Sequence, residues 1–509
     1  MRVLLVRPWY YVGKLDIPYV VPEPIGIEYL AGYIAGDHEV RVLDLIGSYW
    51  WMYEKSVETP EMYRFGGGVN ELASVLKDFR PDVVGVSSLF LTQEKAFHEV
   101  AIAVKQFDKK ITVVAGGPHP SSTPEMVLNA NSSIDVIVVG EGEETFKELL
   151  ASGFKNLELI KGLAFRREGK VVITPMRPPI DIASAPSPRR DLIPFKNFKK
   201  MRKYAGFSGV FGREKALSLM RVMHNSELKE GMLDALATCY KRWKGDSNYR
   251  IEDASIITSR GCPCTCTFCA IQNVWGSKYR MYPAEKVLEE ISSLYHEYGA
   301  RHILIMDDNF TANKKRTLEI CRGIVKRNLN LRLTAPSGIY MPSLDEEVIA
   351  AMKQAGFAEV YLGIESGNQN TLDNIIRKKL DLSKVGNIVD LCRKHGIKTG
   401  GFFIIGFPDE TVEAMKDTIE FAVNSGIDNV RLYLFQPFPG SEMYRYMTEK
   451  GYLSDDYDVT KTNVVREEVF VKSPNFTAHE LLGLLQHGRE LLNKRGQLAG
   501  PFKERKSAN

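Results

Sequence analysis

Four cysteines fall within eight positions in the segment Ser259-Arg-Gly-Cys262-Pro-Cys264-Thr-Cys266-Thr-Phe268-Cys269. The other three of the chain's seven, Cys239, Cys321 and Cys392, are scattered. An odd count packed this densely suits a metal site in a reducing compartment better than a disulfide framework. Two metal chemistries compete. All four thiolates could close on one zinc ion, but a structural zinc site of that kind wants a second Cys or His pair at finger spacing, and the sequence has none. Alternatively, Cys262, Cys266 and Cys269 can wrap one face of a cubane iron–sulfur cluster and leave one iron open to a substrate or cofactor.

These residues need a scaffold, and the hydrophobic pattern supplies one. From Ala254 onward, strands are expected near 255–258, 302–306, 331–334, 359–363, 398–405 and 429–435. Pro283 opens a helix that Gly299 closes, and Gly356, Gly396 and Gly426 each follow an apolar-periodic run. Six βα units make a partial barrel. The cysteine segment follows its first strand, and Met306-Asp307-Asp308-Asn309-Phe310, Gly363-Ile-Glu365-Ser366 and Gly401-Phe-Phe-Ile-Ile-Gly406-Phe-Pro-Asp-Glu410 end later ones, on the face where barrels place their sites.

Upstream, near-continuous apolar strands at 2–7, 39–45, 83–87, 112–115 and 135–139 alternate with helical patterns near 25–35, 69–79, 94–107, 123–130 and 143–151. That alternation predicts a doubly wound parallel sheet. Ligands of such sheets sit beyond the carboxyl ends of the strands, here Ser87-Ser88-Leu89, Gly116-Gly117-Pro118-His119-Pro120 and Gly140-Glu141-Gly142-Glu143. Glycines there let backbone approach a flat or phosphorylated ligand. The chain thus divides into residues 1–150, a linker and helical insertion over 151–250, the barrel over 251–445, and a mostly helical extension over 446–509 opened by the capping box Thr477-Ala-His-Glu480. The tail Pro501–Asn509 reads as frayed. The linker is Pro/Ser-rich at 183–190. A basic and aromatic run, Phe195-Lys-Asn-Phe-Lys-Lys-Met-Arg-Lys-Tyr204, follows it, and helices are expected through Trp243.

Composition bounds the partners. The 509 residues are 44% hydrophobic and 26% charged, which excludes wholesale disorder and collagen-like repetition. Lys+Arg 67 against Asp+Glu 63 leaves +4, too little for a chain-wide polyanion binder, so nucleic acid is not indicated. No run reaches the about 18 apolar residues a bilayer span needs, and Met1–Arg7 lacks the features of a secretion signal, so a cytoplasmic protein is expected, with peripheral membrane contact at most.

Cys-x3-Cys-x2-Cys with Phe268 before the last cysteine, together with the three strand-end segments, resembles the radical S-adenosylmethionine (SAM) superfamily over residues 254–445. The resemblance implies a [4Fe-4S] cluster on Cys262, Cys266 and Cys269 whose open iron chelates SAM. It implies cofactor contacts from Phe268, Asp307, Glu365, Ser366 and the Gly406 region, with Cys264 a free bystander thiol. Reductive cleavage of SAM then yields a 5′-deoxyadenosyl radical that takes hydrogen from an unactivated carbon, with an electron from a donor such as ferredoxin or flavodoxin.

Residues 1 to about 150 resemble the cobalamin-binding class of that superfamily, through Pro24-Ile-Gly26-Ile-Glu28-Tyr29-Leu30, Gly116-Gly-Pro-His119 and Val139-Gly140-Glu141-Gly142-Glu143. Contacts to cobalamin are then implied from Ser87, Ser88, Gly116, Gly117, His119, Gly140, Glu141 and Gly142. Segment Pro8–Tyr19 holds no histidine, so cobalamin is expected to bind without one at its lower face, His119 lining the site or capping the helix opened by Thr123-Pro124. Together the cofactors imply C-methylation: methylcobalamin, charged by one SAM, delivers methyl to a substrate radical made by a second. Substrates that fit the basic-aromatic run are a polypeptide such as methyl-coenzyme M reductase, which the reading favours, or a hopanoid-type lipid; a tetrapyrrole is a further alternative. A non-methylating cyclase or oxidase is the main rival. A methylthiotransferase would need a further three-cysteine cluster in a region, 1–238, that has no cysteine.

Overall fold

The computed structural model describes residues 1–13, 21–56, 62–198, 201, 254–276, 278–462 and 467–499. The helices expected between 204 and Trp243, Cys239, most of the 189–250 insertion and the tail Pro501–Asn509 lie outside the described residues. Two compact units share the chain, Met1–Ser255 and Ile256–Asn509.

In the first unit the strands are β1 (Arg2–Arg7), β2 (Tyr10–Gly13), β3 (Glu39–Asp44), β4 (Tyr53–Lys55), β5 (Met62–Phe65), β6 (Val83–Ser87), β7 (Thr112–Gly116), β8 (Val136–Val138), β9 (Leu163–Arg167) and β10 (Lys170–Ile173). Seven form one sheet in the order β10-β9-β8-β7-β6-β1-β3, parallel from β3 through β8. Two buried apolar layers cover it, one around Leu4, Val84 and Val113, the other around Val3, Leu5 and Val114. Alternate residues of each strand feed opposite layers, which is why the strands read as continuous apolar runs. At the rim, Arg7 donates to both carboxylate oxygens of buried Asp44 at 2.7 and 2.6 Å. The chain reverses direction about β1, whose neighbours are β3 and β6, so the loops after β1 and β6 diverge and leave a crevice.

Two features depart from the sequence reading. The sheet continues past residue 150 into the antiparallel hairpin β9–β10, turned by Glu168 and Gly169, both at positive φ. A small antiparallel sheet, β2-β5-β4, also stands apart from the main one. The basic-aromatic run is less of a surface than its composition suggested, since Phe195, Phe198 and Met201 are all buried.

In the second unit the strands are β11 (Ala254–Ile256), β12 (Ser259–Arg260), β13 (Arg280–Met281), β14 (His302–Ile305), β15 (Arg332–Ile339), β16 (Phe357–Glu365), β17 (Lys398–Ile405) and β18 (Asn429–Leu434). Six make a sheet in the order β11-β14-β15-β16-β17-β18, with β14 through β18 parallel, the open barrel-like arrangement that the periodicity implied. Side-chain caps start the return helices: Asn313 accepts from Arg316 N, Asp345 from Val348 N and Thr411 from Ala414 N. Gly356, at φ 107°, ends one where a Cβ would lie 2.0 Å from Leu331 O. The capping box at Thr477 opens the helix Ala478–Lys494. Beyond it, Leu498 bridges to Val430 and covers the free edge of β18. Among the described residues no helix is long and apolar enough to cross a membrane.

Candidate active site

The cysteine loop is pinned from both ends. Thr267 N donates to Ile376 O at 2.9 Å, Thr267 Oγ1 to Ile375 O at 2.8 Å, and Thr267 O accepts from Met443 N at 2.8 Å. Gly261 enters the loop at φ +80°, with Lys278 O only 2.8 Å from where a Cβ would sit, and its N–H donates to Asp308 Oδ2 at 3.1 Å. Asp307 is buried and accepts from Thr258 N at 2.5 Å, Thr258 Oγ1 at 2.6 Å and the Ser259 hydroxyl. Its carboxylate thus braces the strand that launches the loop. Burial pushes Asp307 up, and burial with the adjacent Asp307 charge raises Asp308 to about 7.

Cys264 is not apart from its neighbours: its thiol is hydrogen-bonded to both Cys262 and Cys266. That bond, with one from Asn309, lowers Cys262 to about 6, and it lowers Cys266 as well; Cys264 is held protonated. Asn309 Nδ2 lies 3.5 Å from Cys262 Sγ, and Asn309 Oδ1 accepts from Tyr340 N at 3.0 Å. Cys269 is the exposed member of the set.

Glu365 ends β16 at φ +70°, a strained conformation for a side chain of its kind. Its Oε1 meets Lys378 Nζ at 2.9 Å. Burial alone would lower Lys378, but Glu365 and Cys266 outweigh it and hold the ammonium well above its usual range. Ser366, beside it, is buried, its hydroxyl shared with Thr418 Oγ1 at 2.9 Å and Asn368 N at 3.1 Å, so it holds the turn. Phe268 packs on Phe407 with ring centroids 5.9 Å apart, and Phe407 on Phe435 at 5.0 Å. The Gly406 turn hangs on buried Glu410, whose Oε2 accepts from Gly406 N at 2.8 Å and Phe407 N at 3.2 Å; burial raises this acid to about 8.

Loops of the first unit are tied to one another. Ser88 is fully buried, its hydroxyl 3.1 Å from His119 Nδ1 and its N–H on Gly116 O at 3.0 Å. Gly117, at φ +105°, presses so close that a Cβ would lie 2.5 Å from Ser88 O. Ser87, half-buried, stands at the end of β6 beside it. Gly140 N donates to Ser121 Oγ at 3.0 Å, Glu141 Oε2 accepts from Ile180 N at 2.9 Å, and Gly142 starts the helix Gly142–Ala151. His119 is 3% exposed, its Nε2 4.0 Å from Glu94, and burial lowers it to about 4. It is a neutral, internally bonded imidazole, and its backbone carbonyl accepts from Thr123 N at 3.2 Å.

Both regions fit the groups the motifs imply. The Cys262 and Cys266 thiols, lowered beside a fixed ammonium, suit an iron–sulfide cube, whose charge that cation offsets; desolvation raises Cys269, the third donor, to about 12. Gly116 has nothing within 4 Å of a Cβ position, and Leu89 and Phe90 are 44% and 55% exposed at the same strand ends, an open apolar edge for a large ring. Sequence reasoning missed Lys378, Asn309 and Glu410 as site residues. Arg377-Lys378-Lys379 reads as an ordinary solvated basic run, and only the fold turns Lys378 toward Glu365.

Residues 256–422 match the radical SAM superfamily, and residues 18–150 match the B12 binding domain. Over 449 residues the chain is 32% identical to a protein of Pyrococcus horikoshii named as an uncharacterized methyltransferase, covering 88% of this chain and 83% of that one. The cytidylyl-2-hydroxyethylphosphonate methyltransferase of Streptomyces wedmorensis is 27% identical, covering 89% and 83%. The anaerobic magnesium-protoporphyrin IX monomethyl ester cyclase of Rubrivivax gelatinosus is 25% identical, covering 91% and 73%. In fold, the chain resembles the radical SAM methyltransferase TsrM of Kitasatospora setae, solved with cobalamin and a [4Fe-4S] cluster, at a TM-score of 0.66 and 18% identity, covering 100% of this chain and 92% of that one.

Proposed function

This chain belongs to the radical SAM superfamily, in its B12-binding class, and from that premise we propose that it is a C-methyltransferase acting on an unactivated carbon. It is a methyltransferase-like enzyme whose cofactors are a [4Fe-4S] cluster, SAM and cobalamin. Bound, these supply an electron, an adenosyl radical and a transferable methyl group.

The observation that carries the reading is the pairing, in one chain, of a cysteine loop beside the Glu365–Lys378 ion pair with a cobalamin-type sheet in which His119, at the strand ends, is turned inward. The cysteines are the donors for the cluster. Glu365 and Lys378 offer a carboxylate and an ammonium to the charged methionyl end of SAM, and half-buried Phe268, backed by the buried rings of Phe407 and Phe435, offers an apolar surface to its base. Buried rather than dissolved, such groups orient the reactant and exclude water. A ferredoxin- or flavodoxin-like donor would deliver the electron.

A second reading, oxidation or cyclisation without methyl transfer, is favoured by the relative named as a cyclase. Product analysis separates them. The anaerobically reconstituted enzyme is incubated with methyl-labelled SAM, a reductant and a small-molecule extract of the cells that express it. Methylation predicts S-adenosylhomocysteine and 5′-deoxyadenosine in comparable amounts, with label in a new carbon-bound methyl. 5′-Deoxyadenosine without S-adenosylhomocysteine would reject it for the second reading.

A further inference from the structure

Along β16, β17 and β18 one set of alternate residues is fully buried: Leu362 and Ile364, Phe403 and Ile405, Val430 and Leu432. These pack against the return helices, as Leu432 does beneath Gly488. The other set faces away and is partly open. It includes Gly363 and Glu365 on β16, Phe402 on β17, and Arg431 and Tyr433 on β18, with Tyr361 of β16 buried among them. This face carries the Glu365–Lys378 pair at its carboxyl end: a Cβ on Gly363 would lie 3.0 Å from both Glu365 Oε1 and Lys378 Nζ.

Lower on the same face sits a cation. The Arg431 guanidinium lies 4.5 Å from the Tyr361 ring centroid and 5.4 Å from that of Phe402, two rings that themselves stack at 5.5 Å. Its Nη2 donates to Tyr361 OH at 3.2 Å, and it is hydrogen-bonded to Tyr433. Gly400 makes room for this stack, since a Cβ there would come within 2.4 Å of Tyr361 Cδ1. Nε is buried and has no hydrogen-bond partner. Among the described residues no carboxylate pairs with Arg431. The acids nearest along the strand are engaged elsewhere, Glu359 with Asn429 Nδ2 at 2.7 Å and Glu365 with Lys378. Guanidinium stays charged at any working pH, and aromatic faces offset only about 2 kcal/mol of its desolvation. A half-buried guanidinium pre-oriented on two rings and two phenol oxygens, lacking a counter-ion, is built for an oxyanion.

We propose that Arg431, held against the stacked rings of Tyr361 and Phe402, binds an oxyanion of the substrate, carboxylate or phosphonate, and so makes the substrate an anionic small molecule whose reacting carbon lies toward Glu365. In register Arg431 stands level with Phe402 and Gly363, two strands across from β16 and two residues short of Glu365, about 7 Å along the strand and about 10 Å across it. A short carbon skeleton spans that separation between the anchored anion and the cofactor end. The inference rests on the reading of this barrel as the reaction chamber, but not on methylation as the outcome. It replaces the polypeptide that the basic-aromatic run favoured.

The test uses the reconstituted holoenzyme and three probes of similar size, ethylphosphonate, propionate and neutral propionamide, with affinities from calorimetry. Either anion should bind the wild type more tightly than the amide, and the stronger of the two identifies the oxyanion. Arg431→Met should weaken that anion at least tenfold, and Arg431→Lys should recover part of the loss. Neither change should alter the iron–sulfide absorption, which verifies the fold. Tyr361→Phe, which keeps the ring and removes the hydroxyl, should weaken binding less than Arg431→Met. Anions that bind no better than propionamide, or equal affinities in the wild type and Arg431→Met, overturn the proposal. Anion binding through Arg431 without methylated product would leave it standing while the methylation reading fell.

Discussion

The strand-end loops of the two units handle their polar groups in opposite ways. In the first unit they are bonded to one another: Ser88 with His119, Ser121 with Gly140, Glu141 with the backbone at Ile180. What is offered outward is backbone, glycine and the apolar edge of Leu89 and Phe90. In the second unit the cysteines, the Glu365–Lys378 pair and Arg431 bring charge and coordinating atoms to one face. The first surface suits a large neutral-faced ring held by shape, and the second suits ligands held by coordination and charge. Substitutions should therefore act through geometry in the first unit and through chemistry in the second.

The sharpest contrast is at Cys266. Cys266→Ser should abolish cluster assembly, read as iron and sulfide content, and with it all SAM cleavage, while cobalamin is still retained. Loss of both cofactors together would erase the distinction between the units. Next in size, Lys378→Met removes the ammonium beside Glu365 and should weaken SAM binding about 100-fold, a charge-assisted contact of about 3 kcal/mol, with Lys378→Arg intermediate. An unchanged Kd would show that Lys378 serves only Glu365. In the first unit, Gly117→Ala forces a Cβ to within 2.5 Å of Ser88 O at φ +105°. It should cost about 3 kcal/mol of unfolding stability and lower cobalamin retention, with the iron content untouched.

The same contrast explains what the sequence disclosed. Five parallel strands of the first sheet and the six strands of the second were legible because apolar runs, interrupted by charge in β3 and β18, alternate with helical patterns, and the cysteine loop because its spacing is chemically specific. The hairpin β9–β10 escaped because its residues Leu163–Ile173 carry charged side chains at the turn and edge, and read as a break in the βα rhythm. Asp307, Ser366 and His119 were singled out as cofactor contacts on residue type and strand-end position. Their side chains turn into the protein, and orientation at a strand end depends on neighbours far along the chain, such as Thr258, Thr418 and Glu94. Lys378 and Arg431 were invisible for the reverse reason: basic residues are normally solvated, and only the register of three strands places Arg431 on two aromatic rings.

The smallest expected effect concerns His119, and it separates a ligand from a brace. Burial lowers its pKa from 6.5 to about 4, so the unfolded chain binds a proton that the folded chain excludes between those values. Above about pH 6.5 the imidazole is neutral in both states and costs nothing; as pH falls toward 4 the unfolded state is increasingly favoured, by about 1 kcal/mol at about pH 5.5. His119→Gln, which keeps a neutral hydrogen-bonding side chain, should flatten that part of the stability profile, measured by urea unfolding across pH. A side chain bonded to Ser88 and facing Glu94 does not reach a metal beyond the strand ends. The visible spectrum of bound cobalamin should therefore be identical in wild type and variant. A spectral shift would make His119 an axial ligand, and the first unit would then hold its cofactor by coordination, as the second does.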